Sequence, residues 1–409
     1  MGQTAAQQPY CAQSVLRRMD RVSSVSATGA PKVAVIGGGQ LARMLAEPAA
    51  ALGIPLRLLA ESPGVCAVEV IGDHQVGDYR DLDTLRQVVA GCAVVTFDHE
   101  HVPTEHLYQL QELAAVHPGP TALIHAQDKA AMRERLGEMG IPCPRNAVVA
   151  SLEDVAEFGY PCVLKATRGG YDGKGVWVVT EPADATAVFA ATGESGVGIL
   201  AEELVDFRRE LSALVARAPS GQVAAWPVVQ TTQRDGICHE VIAPAPDLAV
   251  ELSDQAQQIA IRIAGELDVV GVLAVELFET TDGRILVNEL AMRPHNTGHW
   301  TQDGAITSQF ENHLRAVLDL PLGAPHPRAT WTVMVNILGG SQSTGQLYEG
   351  YPHALARDPR IRVHLYGKEF RPGRKVGHVN AYGDDLDDCL ERARHAAGWF
   401  AGELGDTSE

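Results

Sequence analysis

The sequence predicts an α/β and α+β protein: a parallel-sheet domain opens the chain, and antiparallel, strand-rich segments follow, ending in a small β-rich subdomain. Three observations carry this. From Lys32, KVAVIGGG is an apolar strand ending in glycines, QLARMLAEPAAALG has helical spacing, and IPLRLLAE is a second strand, which together make a βαβ opening. Farther on, VLAVELFETTDGRILVNEL sets two apolar runs around Asp282-Gly283, a two-residue hairpin signal. Beyond residue 320 come short strands, TWTVMVNIL, IRVHLYG and KVGHVNAYG, closed by a helix from Leu386 to Phe400.

Taken in order, residues 1–30 are rich in Ala, Gln, Ser and Arg without sustained periodicity and read as a disordered extension. The parallel-sheet domain is expected over 31–127, with helices at Leu82–Val89 and Thr104–Ala114 and a strand at Ala93–Phe97 between them. A second domain spans 128–319. It opens with a helix from Asp128 to Met139 stopped by Gly140, and it carries a small α/β insert at 145–203 whose strands YPCVLKA and GVWVV flank a glycine-rich loop. ILAEELV and RRELSALVAR follow as strands and SDQAQQIAIRIAGEL as an amphipathic helix. The hairpin closes that domain, and 320–409 forms the β-rich subdomain.

Lys plus Arg number 33 against 51 Asp plus Glu, a formal net charge of -18, which argues against sequence-independent nucleic-acid binding. Seven cysteines, odd in number and without a CxxC pair, fit a reduced compartment rather than disulfides or zinc. No apolar run is long enough to span a membrane, and residues 1–30 lack the apolar centre of a signal peptide, so a cytoplasmic protein is expected.

The hairpin carries chemistry. Pairing outward from a two-residue turn sets Thr281 opposite Arg284, Leu277 opposite Asn288 and Glu276 opposite Glu289. Two facing carboxylates repel, so the arrangement calls for a cation, and Mg²⁺ is the natural one. Because Mg²⁺ completes its shell with substrate oxygens, it points in turn to phosphates. Repelling acids on a surface hairpin are the alternative.

Two glycine-rich segments need separating. Gly37, Gly39 and Ala42 fit G-x-G-x-x-G/A after a strand, with Glu61 about where a dinucleotide fold holds ribose, yet any tight βαβ turn would use the same residues. Gln40 and Arg43 could equally meet a substrate phosphate. In Arg168-Gly169-Gly170-Tyr171-Asp172-Gly173-Lys174-Gly175, four glycines in seven positions free N–H groups to wrap phosphate oxygens, and Lys174 adds charge. The spacing is wrong for a Walker loop, and a strand follows rather than a helix. It reads as a glycine lid over phosphates or as a plain flexible hairpin. His99 and His101 flank Glu100, but strand alternation would put them on the other face, which argues against a metal there. In KEFRPGRKVGH, four basic residues in eight positions form either an anion site or a solvated turn.

The segments GGGQLARM, KATRGGYDGKG, VNELAMRPHNTGHWT and KEFRPGRKVGH resemble the 5-(carboxyamino)imidazole ribonucleotide synthases, over roughly residues 32–400. That resemblance implies an ATP-grasp fold with a Rossmann-like pre-ATP-grasp domain and typically a homodimer. It also implies ATP- and bicarbonate-dependent carboxylation of 5-aminoimidazole ribonucleotide through carboxyphosphate, with ATP and two Mg²⁺ as cofactors, in purine biosynthesis.

By that resemblance Lys129 and Lys165 reach the adenine side and the α and β phosphates, Lys129 standing where relatives usually carry arginine. Glu202, Glu203, Leu204 and Val205 form the adenine hinge, Glu210 takes the ribose hydroxyls, and Gln233 and the 169–175 loop complete the ATP site. As strand-end charges, Glu202 and Glu203 could instead be merely solvated. Glu276 and Glu289 are the metal ligands, and Asn288, on the opposite face in the expected register, has a supporting role. Arg293 offsets charge at the γ-phosphate, and His295 is a proton acceptor or a hydrogen-bonding loop histidine. Tyr171 and Asp172 cover the intermediate. Gln40, Glu100, Asn296, Thr297, Lys368, Arg374 and Lys375 approach the ribonucleotide, with Lys368 also counted as catalytic.

Overall fold

A computed structural model describes residues 29–170, 173–192, 196–340 and 347–404. What was expected of residues 1–30, of Tyr171 and Asp172, and of the acidic tail therefore lies wholly or mostly outside the described residues.

The first sheet is five-stranded and wholly parallel, in the order His74–Val76, Leu56–Ala60, Val33–Ile36, Val94–Phe97, Ala115–Val116. Its two central strands, VAVI and VVTF, are fully buried and apolar but for Thr96, as a sheet covered on both faces requires. The order in which strands are added reverses between Val33–Ile36 and Val94–Phe97. That switch point opens a crevice at the strands' carboxyl ends, where Gln40 and the 98–101 turn lie.

The insert is a four-stranded antiparallel sheet, Asn146–Val149, Ile199–Glu203, Cys162–Ala166 and Val176–Val179. Helices Leu152–Phe158 and Pro182–Thr192 bury Val155, Ala185 and Val188 against it. Ser151 and Asp154 form a reciprocal capping box at the first of these helices, a start signal legible in sequence.

The third sheet has nine strands. Its path runs Ile285–Ala291, Gly271–Thr280, Phe207–Arg217, Val229–Arg234, Ile237–Ala243, Trp331–Leu338, Lys375–Gly383, Arg362–Leu365, and Val223–Ala225 pairs at the side of Phe207–Arg217. The three strands expected in the β-rich subdomain thus join the hairpin's own sheet. Helix Leu386–Ala401 covers that end, burying Cys389, Ala393, Ala397 and Phe400.

The hairpin departs from the simple register. Gly283, at φ 80, closes a longer turn, and the Thr280 N–H donates to the Arg284 carbonyl at 2.9 Å. Thr280, not Thr281, therefore faces Arg284, and Leu277 pairs with Val287 rather than Asn288. A bulge between Glu276 and Leu277 then absorbs Asn288 and restores Glu276 opposite Glu289. The expected carboxylate pair stands because two irregularities cancel.

Helix Gln309–Val317 bolts the first domain to the third sheet. The His313 Nδ1 accepts from the Val272 N–H at 3.1 Å, so Nε2 carries the proton and donates to Thr96 Oγ1 at 2.7 Å. Burial pushes His313 down to about 3, which keeps the bolt neutral.

Candidate active site

A cavity of about 920 Å³ lies where the three sheets meet. Its floor is one face of the third sheet. Glu210, Phe278, Ser212 and Glu276 share that face, since Glu210 pairs with Phe278 and Ser212 with Glu276.

Helix Lys129–Glu138 brings in the cations. Asp128 caps it, accepting from the Ala130 and Ala131 N–H groups, and also accepts from Arg168 Nε at 2.7 Å, tying the root of the glycine loop to the helix start. Lys129 and Arg133, one turn apart, project toward the hairpin. Lys129 Nζ is 2.5 Å from Glu289 Oε1. Arg133 is 3 % exposed and donates to Glu202 Oε1 at 2.5 Å and to the carbonyls of Val287 and Asn288 at 2.9 and 2.7 Å. It thereby staples the bulge, because a bulge leaves backbone carbonyls off the ladder and a buried carbonyl needs a donor.

Lys165 completes this cluster, 2.7 Å from Glu202 Oε2 and 3.0 Å from Asn288 Oδ1. Burial lowers the Lys165 ammonium, with Glu202 countering and Arg133 adding to the effect. For Glu202 burial works upward, but Arg133 and Lys165 outweigh it and hold the carboxyl below its usual range. At 2 % exposure Glu202 is no solvated strand end, and its side chain is fully engaged by the two cations. Asn288 also departs from expectation. Being the bulge residue, it turns into the cavity beside Glu289 instead of away from it.

The acidic set differs in balance. Burial, the Glu289 charge and then Glu210 push Glu276 up to about 7, and burial alone takes Glu210 to about 7. Among the described residues no group of three His, Cys, Asp or Glu is arranged around a metal position. Two facing carboxylates with an amide oxygen beside them nonetheless form a hard, all-oxygen donor set short of positive charge. That fits a divalent cation which draws its remaining ligands from phosphates and water.

Most of the residues expected at the site line this one cavity. They are Lys129, Lys165, Gly169, Gly170, Gly173, Glu202 to Val205, Glu210, Gln233, Glu276, Asn288, Glu289, Arg293, His295, Asn296, Gln40, Glu100 and Lys375. Lys174 and Gly175 fall beside it. Arg374 lies off the wall, with its guanidinium 3.5 Å from the Glu369 carbonyl. Lys368 bonds Gln40, a wall residue, from behind. Thr297 is 1 % exposed and reaches the cavity only through His295, to whose Nδ1 its hydroxyl lies at 2.9 Å.

Arg293 Nε donates to Glu100 Oε2 at 2.8 Å, joining the first domain to the loop after the hairpin. Burial holds His295 well below the ordinary histidine range, with Arg293 and Lys375 adding to it, so the ring is neutral. His99 and His101 both reach the wall with Glu100. The 98–101 segment is a bend, so strand alternation does not separate the three.

The dinucleotide fingerprint is used structurally. Glu61 Oε2 accepts from the Gly38 N–H at 2.9 Å, and Asp98 Oδ1 accepts from the Ala42 N–H at 2.8 Å, filling the helix start with the chain's own carboxylate. A methyl at Gly39 would lie 2.2 Å from Asp98 Oδ2. Arg43 turns away to Glu69 at 2.6 Å.

Sequence reasoning missed Arg133 and the apolar flank of Val163, Val178, Phe207 and Phe278, where the Phe207 and Phe278 rings stack at 4.9 Å. Both were accessible. Arg133 follows Lys129 at helical spacing, and Val163 precedes Lys165 at strand spacing.

Comparison with known proteins agrees with this geometry. Residues 30–127 match the ribonucleotide synthetase preATP-grasp domain, 134–310 the ATP-grasp domain, and 332–392 the phosphoribosylaminoimidazole carboxylase C-terminal domain. The chain is 54% identical over 387 residues to N5-carboxyaminoimidazole ribonucleotide synthase of Mycobacterium tuberculosis, covering 93% of this chain and 90% of that one. It is 50% identical over 379 residues to the enzyme of Corynebacterium ammoniagenes, covering 90% and 92%. Among solved structures, the Thermus thermophilus synthetase superposes with a TM-score of 0.81 at 38% identity, covering 91% of this chain and 99% of that one. An Aspergillus clavatus synthase in complex with ADP and 5-aminoimidazole ribonucleotide gives 0.83 at 30% identity, covering 92% and 99%. With an ATP-grasp fold and relatives this similar along nearly the whole chain, the protein belongs to the N5-carboxyaminoimidazole ribonucleotide synthase family.

Proposed function

We propose that the protein carboxylates the exocyclic amine of 5-aminoimidazole ribonucleotide, using ATP and bicarbonate and releasing ADP and phosphate, as a step of purine biosynthesis. The observation that carries this reading is the cavity's pairing of a nucleotide end, Lys129, Lys165, Glu276 and Glu289, with an acceptor end, Arg293, Glu100, Gln40 and Lys375. Relatives solved with ATP, or with ADP and the ribonucleotide, support it.

Adenine lies against Val163 and Phe278 and along the Glu202–Val205 segment, with the ribose at Glu210 and Gln233. Lys165, backed by Glu202, holds phosphate oxygens, and Lys129 exchanges Glu289 for phosphate when ATP enters. Gly169, Gly170 and Gly173 of the glycine loop line the cavity beside the reacting groups and help to exclude water. Glu276 and Glu289 would hold Mg²⁺, two ions by family resemblance, which when bound supplies positive charge against the phosphates.

Bicarbonate is a poor electrophile. It first takes the γ-phosphoryl group, giving carboxyphosphate and ADP, while Arg293, oriented by Glu100, meets the accumulated charge. The amine nitrogen then bonds to the carboxyl carbon, and phosphate leaves with its bridging oxygen as the amine gives up a proton. Gln40, held by Lys368, and Asn296 and Lys375 position the ribonucleotide. The protein acts as a cytoplasmic homodimer. Its six described cysteines are all unpaired, and among the described residues no helix is long and apolar enough to cross a membrane.

Phosphate release from ATP, measured with and without bicarbonate and 5-aminoimidazole ribonucleotide, tests the reading. At least about tenfold stimulation by the ribonucleotide is expected, a modest part of the rate gain that positioning provides. No stimulation would assign the site to another acceptor.

A further inference from the structure

Beneath the carboxylate hairpin a file of hydroxyls ends on His295. Ser212, 1 % exposed and opposite Glu276 in the strand register, has Oγ 2.8 Å from Thr297 Oγ1. Thr297 Oγ1 is in turn 2.9 Å from His295 Nδ1. The other ring nitrogen, Nε2, faces Glu276 Oε1 at 3.6 Å, too far for a hydrogen bond, and the ring lines the cavity. Gln309, fully buried, fixes the residue at both backbone groups. Its Oε1 accepts from the His295 N–H and its Nε2 donates to the His295 carbonyl, each at 2.8 Å.

The direction of the file follows from counting protons. Each hydroxyl has one to give. Among the described residues, the Ser212 hydroxyl's hydrogen-bond partner is Thr297, so its proton goes there, and the Thr297 proton is left for His295 Nδ1. A nitrogen that accepts carries no proton in a neutral ring, which places the ring proton on Nε2. The opposite order would leave the Ser212 hydrogen buried without an acceptor, a cost of about 1–3 kcal/mol.

We propose that His295 serves as a fixed Nε2–H donor to the phosphate or bicarbonate oxygen gathered beside Glu276, and not as a proton acceptor, with Ser212 and Thr297 as positioning residues that select this tautomer. The proposal rests on the carboxylation reading above and narrows it. The proton lost by the amine must then leave by another group or with the departing phosphate.

Long-range proton–nitrogen spectra of the full-length, ¹⁵N-histidine-labelled protein read the tautomer directly, with His295 assigned by the resonance lost in His295→Gln. An unprotonated Nδ1 and a protonated Nε2 are expected. Thr297→Val should remove the preference and lower kcat by about tenfold or more, toward the loss of one oriented donor, while KM for ATP changes less than about threefold. Thr297→Ser should restore both tautomer and rate, and Ser212→Ala should give a smaller loss. A wild-type proton on Nδ1 overturns the proposal even if Thr297→Val does not fold, and so does full kcat in a folded Thr297→Val. Absence of ribonucleotide-stimulated turnover with the expected tautomer would instead count against the function.

Discussion

Two charged clusters share one cavity and stand in opposite electrostatic states. Around Glu202, two cations and one carboxylate are closed on each other, and Arg133 spends its other donors on the bulge carbonyls. Around Glu276, three carboxylates gather, and among their described ion pairs only Lys129 supplies a permanent positive charge. The first arrangement is finished by the chain alone and holds the hairpin in its bulged register. The second is finished only by something that arrives from solution. What distinguishes scaffold from site here is thus the completeness of charge pairing together with exposure: Glu202 and Arg133 are buried, whereas the Glu276 and Glu289 side chains are 27% and 40% exposed to the cavity.

The largest effect is expected from breaking the finished cluster. Arg133→Met removes one of the two cations on Glu202 and the donors of two carbonyls, and should cost about 3–5 kcal/mol in urea unfolding, with activity lost as the bulge relaxes. A stability within about 1 kcal/mol of wild type would show that the bulge holds without its staple.

In the unfinished cluster the pattern should invert. Glu289→Gln should lower Mg²⁺-dependent ADP release by about a hundredfold or more while leaving unfolding stability unchanged or slightly raised, because it removes a repulsion. Near-normal turnover would take Glu289 out of the metal set.

Glu210 gives a pH signature. Its folded value of about 7 lies above the ordinary carboxyl value of 4.5, so between those limits the folded protein keeps a proton that the unfolded chain has lost. Stability should therefore fall as pH rises through that window and level off above it. Glu210→Gln should match wild type near pH 4 and exceed it by about 1–2 kcal/mol at pH 8, an allowance that already discounts solvent screening. A constant difference across the range would mean the carboxyl is not perturbed.

The smallest expected effect tests completion from outside. With ATP, Mg²⁺ should raise the melting temperature of wild type by a few degrees and leave that of Glu276→Gln unmoved, as linkage requires when the binding set is incomplete.

How far the sequence discloses these clusters depends on what each one needs. Glu276 and Glu289 are legible because strand pairing from a turn signal is local arithmetic, and the glycine loop is legible from composition. The bulge is not, because it depends on Arg133 reaching across from a helix more than a hundred residues earlier. The fold class emerged from periodicity, with the parallel opening and the antiparallel remainder each visible in their strands. The joining of the C-terminal strands to the hairpin's sheet is a long-range pairing that no local pattern encodes. Thr297 has the right neighbours for a contact with substrate, and only burial shows that it serves His295 instead.

Asp98, seated over the start of helix Gln40–Leu52, does more than exclude a dinucleotide. It is an internal imitation of the anion such folds usually import, permanently bound and never exchanged. A domain plugged in this way has its helix start filled and only the rim left to meet a ligand. Whatever it recognises, it must recognise with Gln40, His99, Glu100 and His101 around that rim. Small changes there would retune the acceptor while the nucleotide machinery, held on a different sheet, stayed as it is.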